Sequence, residues 1–234
     1  LKLYGIGESY LETVLQPLLE KQENPTLATL AKKNEMHLRL TAKADLLEEA
    51  QGLLAEMETV IRHLVGQYIF AADEETMEGA VGRLLLEKGM TISVAESCTG
   101  GLIGHRLTQV PGSSAYFNYG VISYSNEAKQ NLLRVDPRLI LQYGAVSGQV
   151  AEAMAIGVRE LGPTSLGLAV TGIAGPGGEG PDKPVGLVYV ALATGNKTYL
   201  EKNNLRGPRQ VVKNRASQVA LNYVRRYLQG YLDG

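Results

Sequence analysis

Residues 37–41 (HLRLT) alternate apolar with polar, which predicts a strand buried on one face, and residues 2–4 carry a shorter version of the same pattern. Apolar residues recur at helical spacing over about residues 9–21 and 45–65, and residues 68–71 return to a short strand. Asp45 stands where an N-cap is needed, with Glu48 three residues on to complete a capping box, and Leu47, Ala50, Leu54 and Ile61 then face the sheet. These elements predict a small α+β domain over residues 1–72. The polar run at residues 71–75 breaks the pattern before a helix at 77–88, so the boundary is expected there.

Beyond residue 76 the pattern changes to strand, tight turn and helix in alternation. Strands are expected at residues 91–95, 120–124 and 166–171, with helices at 100–109, 126–135 and 148–161, the last two capped by Ser125 and Ser147. Residues 185–194 and 198–203 read as a hairpin, and Pro208 opens a final helix running to about residue 232. The expected fold class is therefore α/β: a layered α/β domain over residues 76–234, preceded by the small α+β domain.

The composition of the 234 residues, 44% hydrophobic and 20% charged, suits packed globular domains and not a disordered chain. The longest apolar stretches fall well short of the roughly 20 residues that span a bilayer. The first residue is Leu1, and the start has no signal-peptide plan, so the chain is expected to be a piece of a longer, cytoplasmic protein. A lone cysteine, Cys98, supports neither an internal disulfide nor a zinc cluster, and no metal or organic cofactor is expected. Acids crowd the first third, while Arg206, Arg209, Lys213, Arg215, Arg225 and Arg226 gather near the end, as solvated decoration of one helix or as a site for an anion. The acidic start makes nucleic acid an unpromising partner.

Candidate chemistry begins with AESCTGG at residues 95–101, where a strand ends and a helix begins. Ser97 on that turn has the placement of a nucleophile, and the backbone N–H groups of Cys98, Thr99, Gly100 and Gly101 are candidates for binding an oxyanion or substrate. Equally, Ser97 or Thr99 could serve only as an N-cap. His105 lies eight residues along the same helix, ~12 Å away at the helical rise, too far to be the base. Lys129, in the first turn of a helix, is the better candidate, because a helix N-terminus and partial burial both disfavour its ammonium form. A lysine whose stem merely covers Ala128, Leu132 and Val135 is the plain alternative. Tyr124 could relay or orient the proton. Cys98 is a rival thiol, expected instead to pack into the core.

The stretch GPGGEG at residues 175–180 fits the spacing of a dinucleotide fingerprint, but Pro181 and Pro184 leave no helix after it to hold a pyrophosphate. With Thr171 and Gly172 at the preceding strand end, Gly175 is a candidate for a substrate-side loop, or the segment is a plain connection. Gly207-Pro208-Arg209 puts an arginine at a helix start, a candidate phosphate site or a surface arginine.

Taken in order, AESCTGG (95–101), PGSS (111–114), YSNEAK (124–129), GAVS (144–147), TGIAGP (171–176) and KPVG (183–186) resemble the CinA (competence/damage-inducible) C-terminal domain family. That family includes bacterial nicotinamide mononucleotide amidohydrolases of the serine–lysine type. The resemblance implies Ser97 as nucleophile, Lys129 as its base, Tyr124 as an assisting hydroxyl, Arg209 as an anion contact, and a homodimer. Residues 1–72 resemble the middle, KH-like domain of full-length CinA proteins, which follows a nucleotide-binding domain absent from this chain. Any ADP-ribose pyrophosphatase activity would be expected in that absent domain. The KH label does not imply RNA binding, since Gly5-Ile6-Gly7-Glu8 follows a strand and does not lie between two helices; a spacer or dimerisation role is expected. The function implied is hydrolysis of nicotinamide mononucleotide to nicotinic acid mononucleotide and ammonia. The competing reading is a nucleotide-sensing or partner-binding module with little turnover.

Overall fold

Burial follows the alternation in the first sheet: Met36 and Leu38 are buried while Arg39 and Thr41 face water. The computed structural model describes residues 1–21, 23–32 and 35–232, which form two units, Leu1–Thr76 and Met77–Gly234. In the first unit β1 (Lys2–Leu3), α1 (Glu8–Glu20), β2 (Thr26–Ala31), β3 (Met36–Thr41), α2 (Leu47–Val65) and β4 (Ile69–Ala71) succeed one another. The sheet is antiparallel throughout, in the order β2-β3-β1-β4. Leu3, Leu11, Leu15, Leu27, Ile61 and Val65 fill its core.

Two expectations fail in this unit. The strand β2 has no counterpart in the sequence reading, because TLATLA has too weak an alternation to stand out; six residue pairs with β3 make it a strand. The capping box at Asp45 does not form. Leu46 is the extended residue before α2, no side chain caps it, and Leu47 is 73% exposed instead of facing the sheet. Glu48 and Glu49 in the first turn still favour the helix by opposing its positive end.

The second unit runs α3 (Met77–Glu87), β5 (Ile92–Glu96), α4 (Leu102–Thr108), β6 (Phe117–Ile122), α5 (Asn126–Leu133), α6 (Pro137–Tyr143), α7 (Gly148–Leu161), β7 (Leu166–Gly172), β8 (Leu187–Ala193), β9 (Thr198–Asn204) and α8 (Arg209–Leu228). The sheet order is β6-β5-β7-β8-β9, with β5 parallel to both β6 and β7, and the hairpin strands antiparallel. Helix α7 packs on β5, β7 and β8 and carries α5 and α6 beside it, while α8 packs on α3, α4, β7 and β8. Small residues bring α7 close to the sheet. Ala95, Ala169 and Ala191 form one cross-strand row under it, and a Cβ on Gly167 would fall 2.1 Å from the Ala155 carbonyl oxygen of α7.

Helix α6 was not anticipated, although Asp136-Pro137 carries its start signal: the Asp136 carboxylate accepts the Arg138 N–H at 2.8 Å and Pro137 opens the first turn. Helix α4 is shorter than expected, since Gly100 and Gly101 take left-handed φ values of +63° and +95° before it begins. Arg225 departs from solvated decoration. It is fully buried on α8, bonded to Asn222 and Gln229, and burial lowers its pKa to about 10.

Helices α5 and α7 approach through Gly157, where an added Cβ would lie 2.0 Å from the Leu133 carbonyl oxygen. Gly157→Ala should therefore destabilise the second unit by about 1–3 kcal/mol through overpacking, net of a helix-propensity gain of about 1 kcal/mol. Gly52→Ala, with open space around the new methyl on α2, should stabilise the first unit by about 0.5–1 kcal/mol. Thermal or urea unfolding of both variants, followed by unit-specific probes, checks the opposite signs.

Candidate active site

Ser97 follows the last residue of β5 and is still held in the sheet, its N–H donating to the Val170 carbonyl at 3.0 Å. The turn after it is closed by a bond from the Gly100 N–H to the Ser97 carbonyl at 3.1 Å. Only 8% of Ser97 is exposed.

Lys129 reaches this serine from α5. Ser125 caps that helix, its hydroxyl accepting the Ala128 N–H at 3.0 Å, which fixes the first turn and the direction of the lysine. Nζ lies 3.1 Å from Ser97 Oγ and donates to the Ser123 carbonyl at 2.8 Å, with the Tyr124 carbonyl at 3.5 Å. A neutral amine has two N–H groups for those carbonyls and a lone pair left for the serine proton. Lys129 is 1% exposed, and burial holds its pKa below the usual lysine value, with Cys98 acting weakly the other way. Of the two causes expected from sequence, the helix end and burial, burial is the leading one.

The expected oxyanion donors need correction. The Glu96 carboxylate, itself buried, accepts the N–H groups of Gly101 at 3.0 Å, Ile103 at 3.1 Å and Gly104 at 2.8 Å. With Gly100 bonded to Ser97, neither Gly100 nor Gly101 has an N–H to offer a substrate. No bond to another described residue takes the Cys98 or Thr99 N–H, although the Cys98 N–H faces its own sulfur. The Thr99 hydroxyl is buried without a partner among the described residues.

Tyr124 also departs from expectation. Its hydroxyl accepts a bond from Arg209 Nη2 at 2.9 Å, so it addresses the arginine and not the Ser97–Lys129 pair. Arg209, the first residue of α8, also donates from Nη1 to the Gly175 carbonyl at 2.8 Å. Neither of these acceptors is a carboxylate. The Thr171 hydroxyl donates to the Ala145 carbonyl at 2.8 Å and so ties two walls together.

Ser97, Cys98, Tyr124, Lys129, Thr171, Gly172, Gly175 and Arg209 all line one cleft of about 250 Å³. Thr99, Gly100 and Gly101 do not. The cleft also takes in Gly177 and Gly178, from the loop read as substrate-side, and Asn126, Ala145 and Val146, to which the sequence assigned no role. Lys213, one turn beyond Arg209, lies beside the turn, with Nζ 3.5 Å from where a Cβ on Gly100 would stand. It belongs to the C-terminal basic group expected either to decorate one helix or to meet an anion. Cys98 is buried and its thiol is pushed up to about 12, chiefly by burial, so it stays protonated. His105 is exposed on α4. Among the described residues no group of three His, Cys, Asp or Glu could hold a metal ion, and no helix is long and apolar enough to cross a membrane.

This geometry has close relatives. A protein of Caldanaerobacter subterraneus subsp. tengcongensis, named in the competence-damage inducible group, is 47% identical over 230 residues, covering 98% of this chain and 55% of that protein. A CinA-like protein of Kosmotoga olearia is 45% identical over 228 residues, again covering 55% of its length, so the chain spans just over half of these curated relatives. Among solved structures, the competence/damage inducible protein CihA of Agrobacterium tumefaciens matches with TM-score 0.63 at 36% identity, covering 69% of this chain and 98% of that one. A competence-damaged protein (CinA) superfamily member of Klebsiella pneumoniae matches with TM-score 0.65 at 27% identity, over 68% of this chain and 99% of that one. Residues 1–71 match the damage-inducible protein CinA KH domain and residues 74–228 the CinA C-terminal domain, and the chain belongs to the CinA family.

Proposed function

We propose that the chain hydrolyses the carboxamide of nicotinamide mononucleotide to nicotinic acid mononucleotide and ammonia. The observation that carries this reading is the buried contact between Lys129 Nζ and Ser97 Oγ at 3.1 Å, with the lysine held toward its neutral form. Neutral Lys129 takes the Ser97 proton as Oγ attacks the carboxamide carbon, and the N–H of Cys98, the residue after Ser97 that also lines the cleft, receives the oxyanion. Lys129 then returns the proton to the departing nitrogen, and ammonia leaves. Water attacks the acyl-serine, with Lys129 again removing its proton, and the carboxylate product is released as Ser97 recovers a hydrogen. Arg209 supports a phosphate contact, because a phosphate would exchange two neutral acceptors for a charged one.

Ammonia release from nicotinamide mononucleotide by the wild type tests the reading. Ser97→Ala should reduce it to background, Lys129→Ala should lower kcat by about 10²–10⁴-fold, and Arg209→Ala should raise KM by about tenfold to a hundredfold. No ammonia from the wild type, with nucleotide still bound, would favour a binding module instead. Cys98→Ser should keep its turnover, and the native thiol should resist iodoacetamide at pH 8, since its pKa lies near 12. Reaction of the folded wild type at Cys98 would contradict that.

The lowered lysine pKa also sets two pH dependences. The acid limb of kcat/KM should lie below the ordinary lysine value of 10.5, because only the amine form accepts the serine proton. Between the lowered folded pKa and 10.5 the unfolded chain binds more protons at this group, so its contribution to stability rises with pH across that window. Denaturation of wild type and Lys129→Met across pH 7 to 10.5 should show the difference moving in favour of wild type as pH rises. A pH-independent difference would mean that Lys129 is not depressed.

A further inference from the structure

Glu96 ends β5 and immediately precedes the serine. Its side chain does not point across the cleft; it crosses the turn to α4. Burying a carboxylate without an ion pair is costly, and the three N–H bonds from Gly101, Ile103 and Gly104 offset that cost. A serine or aspartate placed at the helix start would cap α4 more cheaply. Here the acid comes instead from five residues before Gly101, so its bonds join the strand end to the helix start and bracket residues 97–100 between them. The strand side of this bracket is fixed as well, since the Glu96 carbonyl accepts the Ser123 N–H at 2.9 Å and Ser97 is tied to Val170. Ser123 in turn holds Lys129 through its carbonyl.

We propose that Glu96 is a positioning residue for the nucleophile: its carboxylate clamps the turn so that Ser97 Oγ stays within reach of Lys129 and Cys98 keeps its place in the lining of the cleft. Gly101, Ile103 and Gly104 give up their anion-binding capacity to this clamp, and the helix end acts on the reaction only through the geometry that it enforces. This inference rests on the reading of Ser97 as a nucleophile.

The test compares Glu96→Gln and Glu96→Ala with Leu85→Ala, a core truncation on α3 that lowers stability away from the turn. For each, kcat and KM for carboxamide hydrolysis, the labelling rate of Ser97 by a fluorophosphonate probe, and the folded fraction are measured. Glu96→Gln retains one acceptor oxygen and should lose about tenfold in kcat, and Glu96→Ala about a hundredfold, with KM within about twofold of wild type. Labelling of folded protein should slow in parallel, while Leu85→Ala should keep both rates per folded molecule. Wild-type kcat and labelling per folded molecule in both Glu96 variants would overturn the proposal and leave Glu96 as a helix cap alone. Undiminished turnover or labelling in Ser97→Ala would overturn the nucleophile reading itself, and the labelling arm decides the role of Glu96 even where no carboxamide is hydrolysed.

Discussion

A lysine enclosed by protein, with its nitrogen 3.1 Å from a serine hydroxyl, is the constraint on which the second unit turns. Water would solvate an ammonium far better than the two or three acceptors around Lys129 do, so the fold favours the amine there. Keeping that group enclosed requires α5 to lie close, and the closeness comes from the absent side chain at Gly157, against the last carbonyls of α5. The Ser125 cap aims the lysine, and the parallel pairing of β5 with β6 brings the two strand ends, and so the serine and the lysine helix, to the same edge.

Charge is partitioned around this pair. The acid beside Ser97, Glu96, is taken up by backbone amides, and the thiol of Cys98 is kept neutral by burial. The cations Arg209 and Lys213 come from the start of α8, outside the strand-turn-helix segment that carries the serine. The cleft of about 250 Å³ thus has both the enclosed Lys129 and the exposed Arg209 in its lining.

The KH-type unit has its own antiparallel sheet and its own apolar core, with Leu11 and Leu15 of α1 and Ile61 and Val65 of α2 buried on it. Its contribution to the longer CinA relatives, of which this chain spans 55% in the two described, belongs to the context of those whole proteins.

Much of this was legible in one dimension. Alternation revealed β3, helical spacing revealed α2 and α7, and Ser125 and Ser147 announced their caps, because each of these depends on residues a few positions apart. Strand β2 and the exposed start of α2 were misread, since a weakly patterned segment takes its state from the neighbour it pairs with. The pairing of Ser97 with Lys129 could be suggested from their residue types and from family resemblance. Their separation of 3.1 Å, the enclosure that depresses the lysine, the diversion of the Tyr124 hydroxyl to Arg209 and the capture of the α4 amides by Glu96 were decided by tertiary structure. Sequence by itself determined which groups were available and which local turns present them. Only the folded chain decided which donors were already spent and which charges were desolvated, because both depend on neighbours brought in from distant strands and helices.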